Sequence, residues 1–558
     1  MTFAPQSEEL IGTIESVLSH DIIHEVNNDG DHTYLHVQED CKTQLPVSNE
    51  AMSITVPLTN IGLDVVQFDK SFITLKVAVN FALNGISTST VSTTPLREAI
   101  KVFVGLKHSP ECLGEYSIYH KGKQIAGTLQ SYGTTEAFLY HVYRGQDDIM
   151  HRCGVHSVAE EVAKGDLSSV CGKYVNLQEL SEASVAGNGI TVNFTFLIPF
   201  NDILAFQQFR DYPSALFGQL ELKFKFNKWA FVCLPCDPAA TIKTSLLRTP
   251  PSSGDPRLNI PNLDTVACRI TREYTQIGDS FNGITAVTVD SSTYRFTPTV
   301  GNITLTPQNI SINECYSTLV GYRISSDALE SMRMKFESEP WVKFTQNIHF
   351  LQYSQGASAL GLNVSQQTYL NNTTDFIIMY PRTQHEVAGT ISKNPCLQDL
   401  SLQVMNRKYP EMPLDTNSER YAQIMLNASD NFHQPPLREY AQSISTARVL
   451  INDAGAVSTL TPAEDLTSHI TTIKVERPSA MGLICDGLDS NGEQVSVRLS
   501  AKPLTTNTTY DEYCTKSPPP PVLITVNDAF FIFNSKDGGQ CIYSDRNFNE
   551  VLPAFMSA

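Results

Sequence analysis

The sequence is short of basic charge, of tryptophan, of cysteine and of long apolar runs. Lys and Arg total 40 against 58 Asp and Glu, a formal net charge of −18. Gripping a phosphate backbone needs clustered Lys and Arg. The longest basic stretch, Lys121–Lys123, reads as a solvated hairpin turn. Direct nucleic-acid binding is therefore not expected. No run of about 18 apolar residues occurs, so no transmembrane helix is expected. The opening MTFAPQSEEL has neither the charged nor the apolar part of a secretory signal, and a cytosolic product is expected. The 12 cysteines are sparse and irregularly spaced, which suits reduced, buried thiols. Sequons recur from Asn193 to Asn507, but without a signal they are expected to carry no glycan. The two tryptophans, Trp229 and Trp341, lie in apolar strand contexts and read as core, not as sugar platforms. Nucleophile-elbow, phosphate-loop and HExxH zinc motifs are absent too.

What is present is alternation. In Gln219–Phe226, Leu220, Leu222, Phe224 and Phe226 face one way and Gln219, Glu221, Lys223 and Lys225 the other. Strand side chains alternate faces, so this is a half-buried antiparallel strand with one wet side. Gly492–Lys502 is a weaker copy, with Val495, Val497, Leu499 and Ala501 on one face; the two leading glycines are 492 − 218 = 274 apart. A second feature repeats at a similar distance. Tyr116–Tyr143 and Leu402–Leu426 each read as strand, tight turn, extended piece and short helix. Their turns, at Gly122 and Asn406, are 406 − 122 = 284 apart. Such a long period means tandem domains, not a solenoid.

Along the chain, residues 1–49 read as a polar N-terminal arm and 50–235 as a first domain. Its strands are expected at Ser53–Leu58, Phe72–Leu83, Ile100–Leu106, Val192–Phe200 and Gln219–Phe231. Residues 236–265, within a stretch rich in Pro and Gly, are the expected connector. Residues 266–540 form a second domain and 541–558 a tail. Ser326–Glu337 reads as a helix capped by Ser326, with Leu329, Met332 and Phe336 on one face. Residues 145–187 and 354–372 read as long polar loops, and Pro518–Pro521 as a stiff spacer. Many short strands, few short helices and two halves imply an all-β chain: two tandem jelly-roll β-sandwiches with a few short helices in loops.

Several residues could suggest chemistry. His20 and His24 are four apart, as are His32 and His36, but HDIIH lacks the glutamate a zinc protease uses, and a polar arm is the preferred reading. Asp29-Gly30-Asp31 is only part of a calcium loop. Cys233-Leu234-Pro235-Cys236 has redox spacing but ends an antiparallel strand, and structural thiols are expected. Cys153-Gly154-Val155-His156 is weaker still. No catalytic, cofactor-binding or metal residue is assigned, and no cofactor is expected.

Four stretches carry a resemblance to a known family. They are Glu115–Tyr143, IPFNDILAFQQFRDYPSALFGQLELKF, NPCLQDLSLQVMNRKYPEMPLDTNSERYAQIM and VSVRLSAKPLT. In order and spacing they resemble the double jelly-roll major capsid proteins of polinton-like viruses, adintoviruses and virophages. The first-domain turn is Lys-Gly where that family has Asn-Gly, and the His-rich arm matches nothing in it. The resemblance implies a non-enzymatic virion protein made in the host cell: a homotrimer forming a pseudo-hexameric capsomer of an icosahedral DNA virus. It also implies contacts with neighbouring capsomers and with penton and minor capsid proteins. The competing reading is a β-sandwich carbohydrate-binding or adhesin-type protein, which would be expected to show a secretion signal, calcium loops or exposed tryptophan.

Overall fold

The computed structural model describes residues 33–47, 53–85, 101–107, 109–128, 172–176, 189–206, 210–235, 275–290, 295–338, 340–356, 361–380, 392, 397–415, 419–420, 422–423, 470–475, 487–490, 492–503, 520–534 and 540–544. Sixteen of the strands fall into two sets of eight. The first set is β1 (Thr33–Asp40), β2 (Ile54–Pro57), β3 (Phe72–Asn84), β4 (Leu113–His120), β5 (Lys123–Thr128), β6 (Ile190–Pro199), β7 (Leu220–Phe226) and β8 (Arg295–Arg323). The second is β9 (Trp341–Gln352), β10 (Leu362–Thr368), β11 (Thr373–Met379), β12 (Leu397–Val404), β13 (Arg407–Leu414), β14 (Ile470–Lys474), β15 (Val495–Pro503) and β16 (Val522–Asn534).

The two sets pair in the same order. In the first, one sheet contains the run β1-β8-β3-β6 and the other is β2-β7-β4-β5. In the second, the sheets run β9-β16-β11-β14 and β10-β15-β12-β13. Adding eight to each strand number of the first set gives the second. All these pairings are antiparallel, and each last strand returns beside its first. That is the double Greek key of a jelly roll. The chain is a double jelly roll.

Single positions match as well. Leu222 of β7 lies between Ile118 of β4 and Val56 of β2. Leu499 of β15 lies between Leu402 of β12 and Val364 of β10. The offsets are 499 − 222 = 277, 402 − 118 = 284 and 364 − 56 = 308. Alternation along β7 follows the sequence, with Leu220, Leu222, Phe224 and Phe226 buried and Lys225 exposed.

Strand pairing corrects the expected domain boundaries. Thr33–Asp40 belongs to no arm; β1 is an edge strand of the first roll, zipped along β8 from Thr33↔Arg323 to Asp40↔Tyr316. Arg295–Arg323 belongs to the first roll rather than the second, because β8 runs beside β3 from Thr304↔Asn84 to Thr318↔Phe72. Gln540–Ser544 straddles the expected tail and pairs with β16. Connector 236–265 lies outside the described residues. The supposed loop 354–372 contains β10, and 145–187 contains the strand Gly172–Asn176, paired with Lys101–Gly105. Thr33–Asp40 and β10 are half-buried strands whose outward residues are polar, so few apolar residues mark them. In β10 only Leu362, Val364 and Thr368 are buried. The full 29-residue length of β8 is hidden by Pro298, Gly301 and Pro307. Pro307 sits at a register shift, where a missing N–H breaks no ladder bond.

A helix, α1 (Ser326–Ser338), joins the two rolls. Its N-terminal cap is Ser325, whose hydroxyl accepts from the Ala328 N–H at 3.3 Å. Ser326, the expected cap, lies one residue inside. Met332 and Phe336 turn toward the core as expected. The short helices expected at the ends of Tyr116–Tyr143 and Leu402–Leu426 fall wholly or largely outside the described residues.

Candidate functional surfaces

Among the described residues, no group of three or more His, Cys, Asp or Glu could hold a metal ion. His36 projects from the exposed face of β1, opposite Val320, while His20, His24, His32 and Asp29–Asp31 lie outside the described residues. Cys233 is buried in the strand Val232–Pro235, where desolvation pushes its thiol far up; Cys236 and Cys153–His156 are not described. Among the described residues no helix is long and apolar enough to cross a membrane.

Three features remain that could serve function. The first is the seam between the rolls. The stretch Asp211–Gly218, between β6 and β7, carries Tyr212 and Phe217. The Phe217 ring stacks on Trp341 of β9 at 5.1 Å and 5°. Phe533 of β16 lies 5.1 Å from Trp341 and 5.6 Å from Tyr212, and Phe336 of α1 meets Phe217 edge-on at 5.5 Å. Trp341 and Phe533 thus join the core of the first roll, and the two rolls share one apolar body at this point. Such offset and edge-on pairs add to area burial. Tyr212 Oη donates to the Gly218 carbonyl at 2.9 Å, which closes the turn leading into β7. Gly218 has φ of 96°, and a side chain there would run into Lys121. His120, at the end of β4, donates its ring N–H to the Phe217 carbonyl at 2.7 Å and stands edge-on to Phe533 at 5.9 Å. Burial holds its pKa below the usual histidine value.

The second feature is the outer face of each smaller sheet. On the first, Lys225 pairs with Glu115 at 2.8 Å, Lys223 covers the Tyr119 ring at 3.8 Å, and Lys42 pairs with Glu221. On the second, Arg498 donates to Asn363 at 2.8 Å and Ser401 bonds Ser500 at 2.8 Å. These faces close their polar groups on themselves across the strands. Exposed apolar side chains occur elsewhere: Ile61 beyond β2, Met334 on α1, and Met405 and Met412 on the β12–β13 hairpin.

The third is a pair of thiols. Cys41 directly follows β1 and donates its backbone N–H to the Cys315 carbonyl of β8 at 3.1 Å. The neighbouring Cys315 thiol is the largest influence on the half-buried Cys41 and brings it down to about 7. The Thr43 backbone contributes in the same direction and burial opposes. Cys315 is pushed well above the usual thiol value, first by the Cys41 thiol and then by burial. Sequence reasoning missed this pair, because its two members are far apart in the chain and only the β1–β8 register brings them together.

No family model and no curated protein matches the sequence. Solved structures do resemble it. A chain of the Sputnik virophage aligns over 99% of this chain and 95% of its own length, at 11% identity and a TM-score of 0.45. The mavirus major capsid protein aligns over 99% and 97%, at 9% identity and 0.42. A chain of the PBCV-1 virus capsid aligns over 94% and 99%, at 10% identity and 0.39.

Proposed function

We propose that this chain is a structural major capsid protein, with no enzymatic activity, that assembles as a homotrimer into pseudo-hexameric capsomers of an icosahedral DNA virus. The observation that carries the reading is internal to the chain: two eight-stranded rolls of identical strand order, fused through an aromatic seam. Three copies present six similar blocks, so one gene product can tile a near-hexagonal lattice. Such a ring uses a heterologous contact, with a different patch on each side of the subunit. A contact able to hold a shell is of the obligate kind, above about 2,000 Å² in total. The similar solved structures are themselves virus and capsid chains, which agrees with the reading. Neighbouring capsomers, penton and minor capsid proteins would be its partners in the virion. The net charge of −18 favours a shell that does not grip the genome directly.

The test is mass in solution. Light scattering on the purified full chain should give close to three times 61.7 kDa, unchanged on dilution through the micromolar range. A folded, strictly monomeric protein would remove the capsomer reading.

A further inference from the structure

We propose that Cys41 and Cys315 form a redox-linked cross-strand disulfide that staples the first strand of the first jelly roll to its last. The argument starts from register. The antiparallel β1–β8 pair ends with Asp40 opposite Tyr316, and the same register continued by one residue sets Cys41 against Cys315. The 3.1 Å bond from the Cys41 N–H to the Cys315 carbonyl keeps the two backbones in step there. Residues directly opposite in an antiparallel pair have Cα atoms about 4.5–5.5 Å apart and side chains on one face. That separation falls within the range a disulfide spans, about 4.4–6.8 Å. The face is also defined. Leu35, Val37 and Cys41 lean on the core while His36, Gln38 and Asp40 are exposed; opposite them Leu319, Ser317 and Cys315 are buried. Both thiols therefore point the same way.

Their environments divide the chemistry. Cys315 is buried, whereas Cys41 is only partly covered and is the one an oxidant can reach. Its Sγ–H donates to the Thr43 carbonyl at 3.2 Å, and the depressed thiol value makes it the nucleophile of the pair. The oxidant we name is a low-molecular-weight disulfide such as oxidised glutathione. The Cys41 thiolate attacks one of its sulfurs and expels a first thiolate, leaving a mixed disulfide on Cys41. Cys315 gives its proton to that departing thiolate and attacks the Cys41 sulfur, expelling the second. Two protein thiols are oxidised, one oxidant disulfide is reduced to two thiols, and the reaction reverses with excess thiol. The bond closes a loop that contains β2 to β7, so β1 would stay fixed even if its ladder to β8 opened. The sites are independent of the capsid reading.

The experiment uses the native full chain incubated with oxidised glutathione. Remaining thiols are then alkylated under denaturing conditions and peptides are mapped by mass spectrometry without reduction. We expect a peptide linking Cys41 to Cys315, two hydrogens lighter than its reduced parts, with Cys112, Cys233 and Cys541 still alkylated. The melting temperature should rise on oxidation and return with dithiothreitol. Cys41→Ser, at a partly exposed position, should abolish both the linked peptide and the shift. Cys315→Ala should instead trap the glutathione adduct on Cys41. Full alkylation of both thiols after oxidation would overturn the proposal. So would a glutathione adduct that persists on wild-type Cys41, or a link from Cys315 to Cys112.

Discussion

The two jelly rolls share one strand order but are built from different chemistry. The first is packed with aromatic rings. Phe68 contacts Phe200, Phe206 and Tyr212, and Phe81, Phe194, Phe196 and Phe231 form a second group, with centroids 5.1–6.4 Å apart. The second relies on aliphatic residues, among them Val364, Leu400, Leu402, Val497 and Leu499, around a buried polar group. There Thr373 Oγ1 donates to Asn527 Oδ1 at 2.6 Å, and the Asn527 amide donates to the Thr525 carbonyl and hydroxyl at 3.3 and 3.2 Å. The first roll also carries extra strands in its connections, such as Lys101–Gly105, Gly172–Asn176 and Ser280–Asp290. Among the described residues the second keeps closer to its eight strands. The difference teaches that strand order and alternation define this fold, while the identity of the core residues is free to drift. Cores tolerate such exchange when volume and pattern are kept.

If that is right, matched positions should respond alike despite unlike neighbours. Leu222 and Leu499 are both fully buried in the centre of their sheets. Leu222→Asp and Leu499→Asp should each cost about 3 kcal/mol or more, because each strands a charge in an apolar core. Chemical denaturation of both variants checks this; tolerance of one but not the other would break the equivalence. Trp341→Ala should cost about 3–5 kcal/mol. It should also sharpen the comparison by splitting a single melting transition into two, since it empties the place where Phe217 and Phe533 meet. A variant that melts in one step at the wild-type temperature would show that the seam does not couple the rolls.

Smaller effects separate the two cores. Asn527→Ala should cost about 1–3 kcal/mol, because it leaves Thr373 and Thr525 without their buried partner. Loss of tertiary signal near the second roll, with the aromatic signal of the first retained, is the expected calorimetric and near-UV pattern. On the wet face of β7, Glu221→Ala should cost under about 1 kcal/mol, since its Lys42 partner is half exposed. A cost above that value in the isolated chain would mean that the register of β7 is not what its alternation indicates.

Much of this architecture was legible in the residues, and the gaps have two causes. β7 alternates over its full length and β3 from Leu75 onward, and the Lys121–Gly122 turn has positive φ at both residues, which suits a two-residue hairpin. The 284-residue offset between the turns is the offset between the equivalent strands β4 and β12 of the two rolls. Local pattern could not show that Arg295–Arg323 closes the first roll, because that pairing joins residues more than two hundred positions apart. For the same reason Thr33–Asp40 read as an arm and Cys41 and Cys315 as unrelated thiols. Nor could composition alone tell β10 from a loop, since its outward Asn363, Ser365 and Gln367 outnumber its apolar residues.

The central claim is that one chain supplies two equivalent blocks and three chains a six-block unit. Electron microscopy of the purified full-length protein, averaged without imposed symmetry, tests it most directly. The account predicts particles with threefold symmetry and a near-hexagonal, six-lobed outline. Uniform two-lobed single chains, or rings with any other number of subunits, would contradict it.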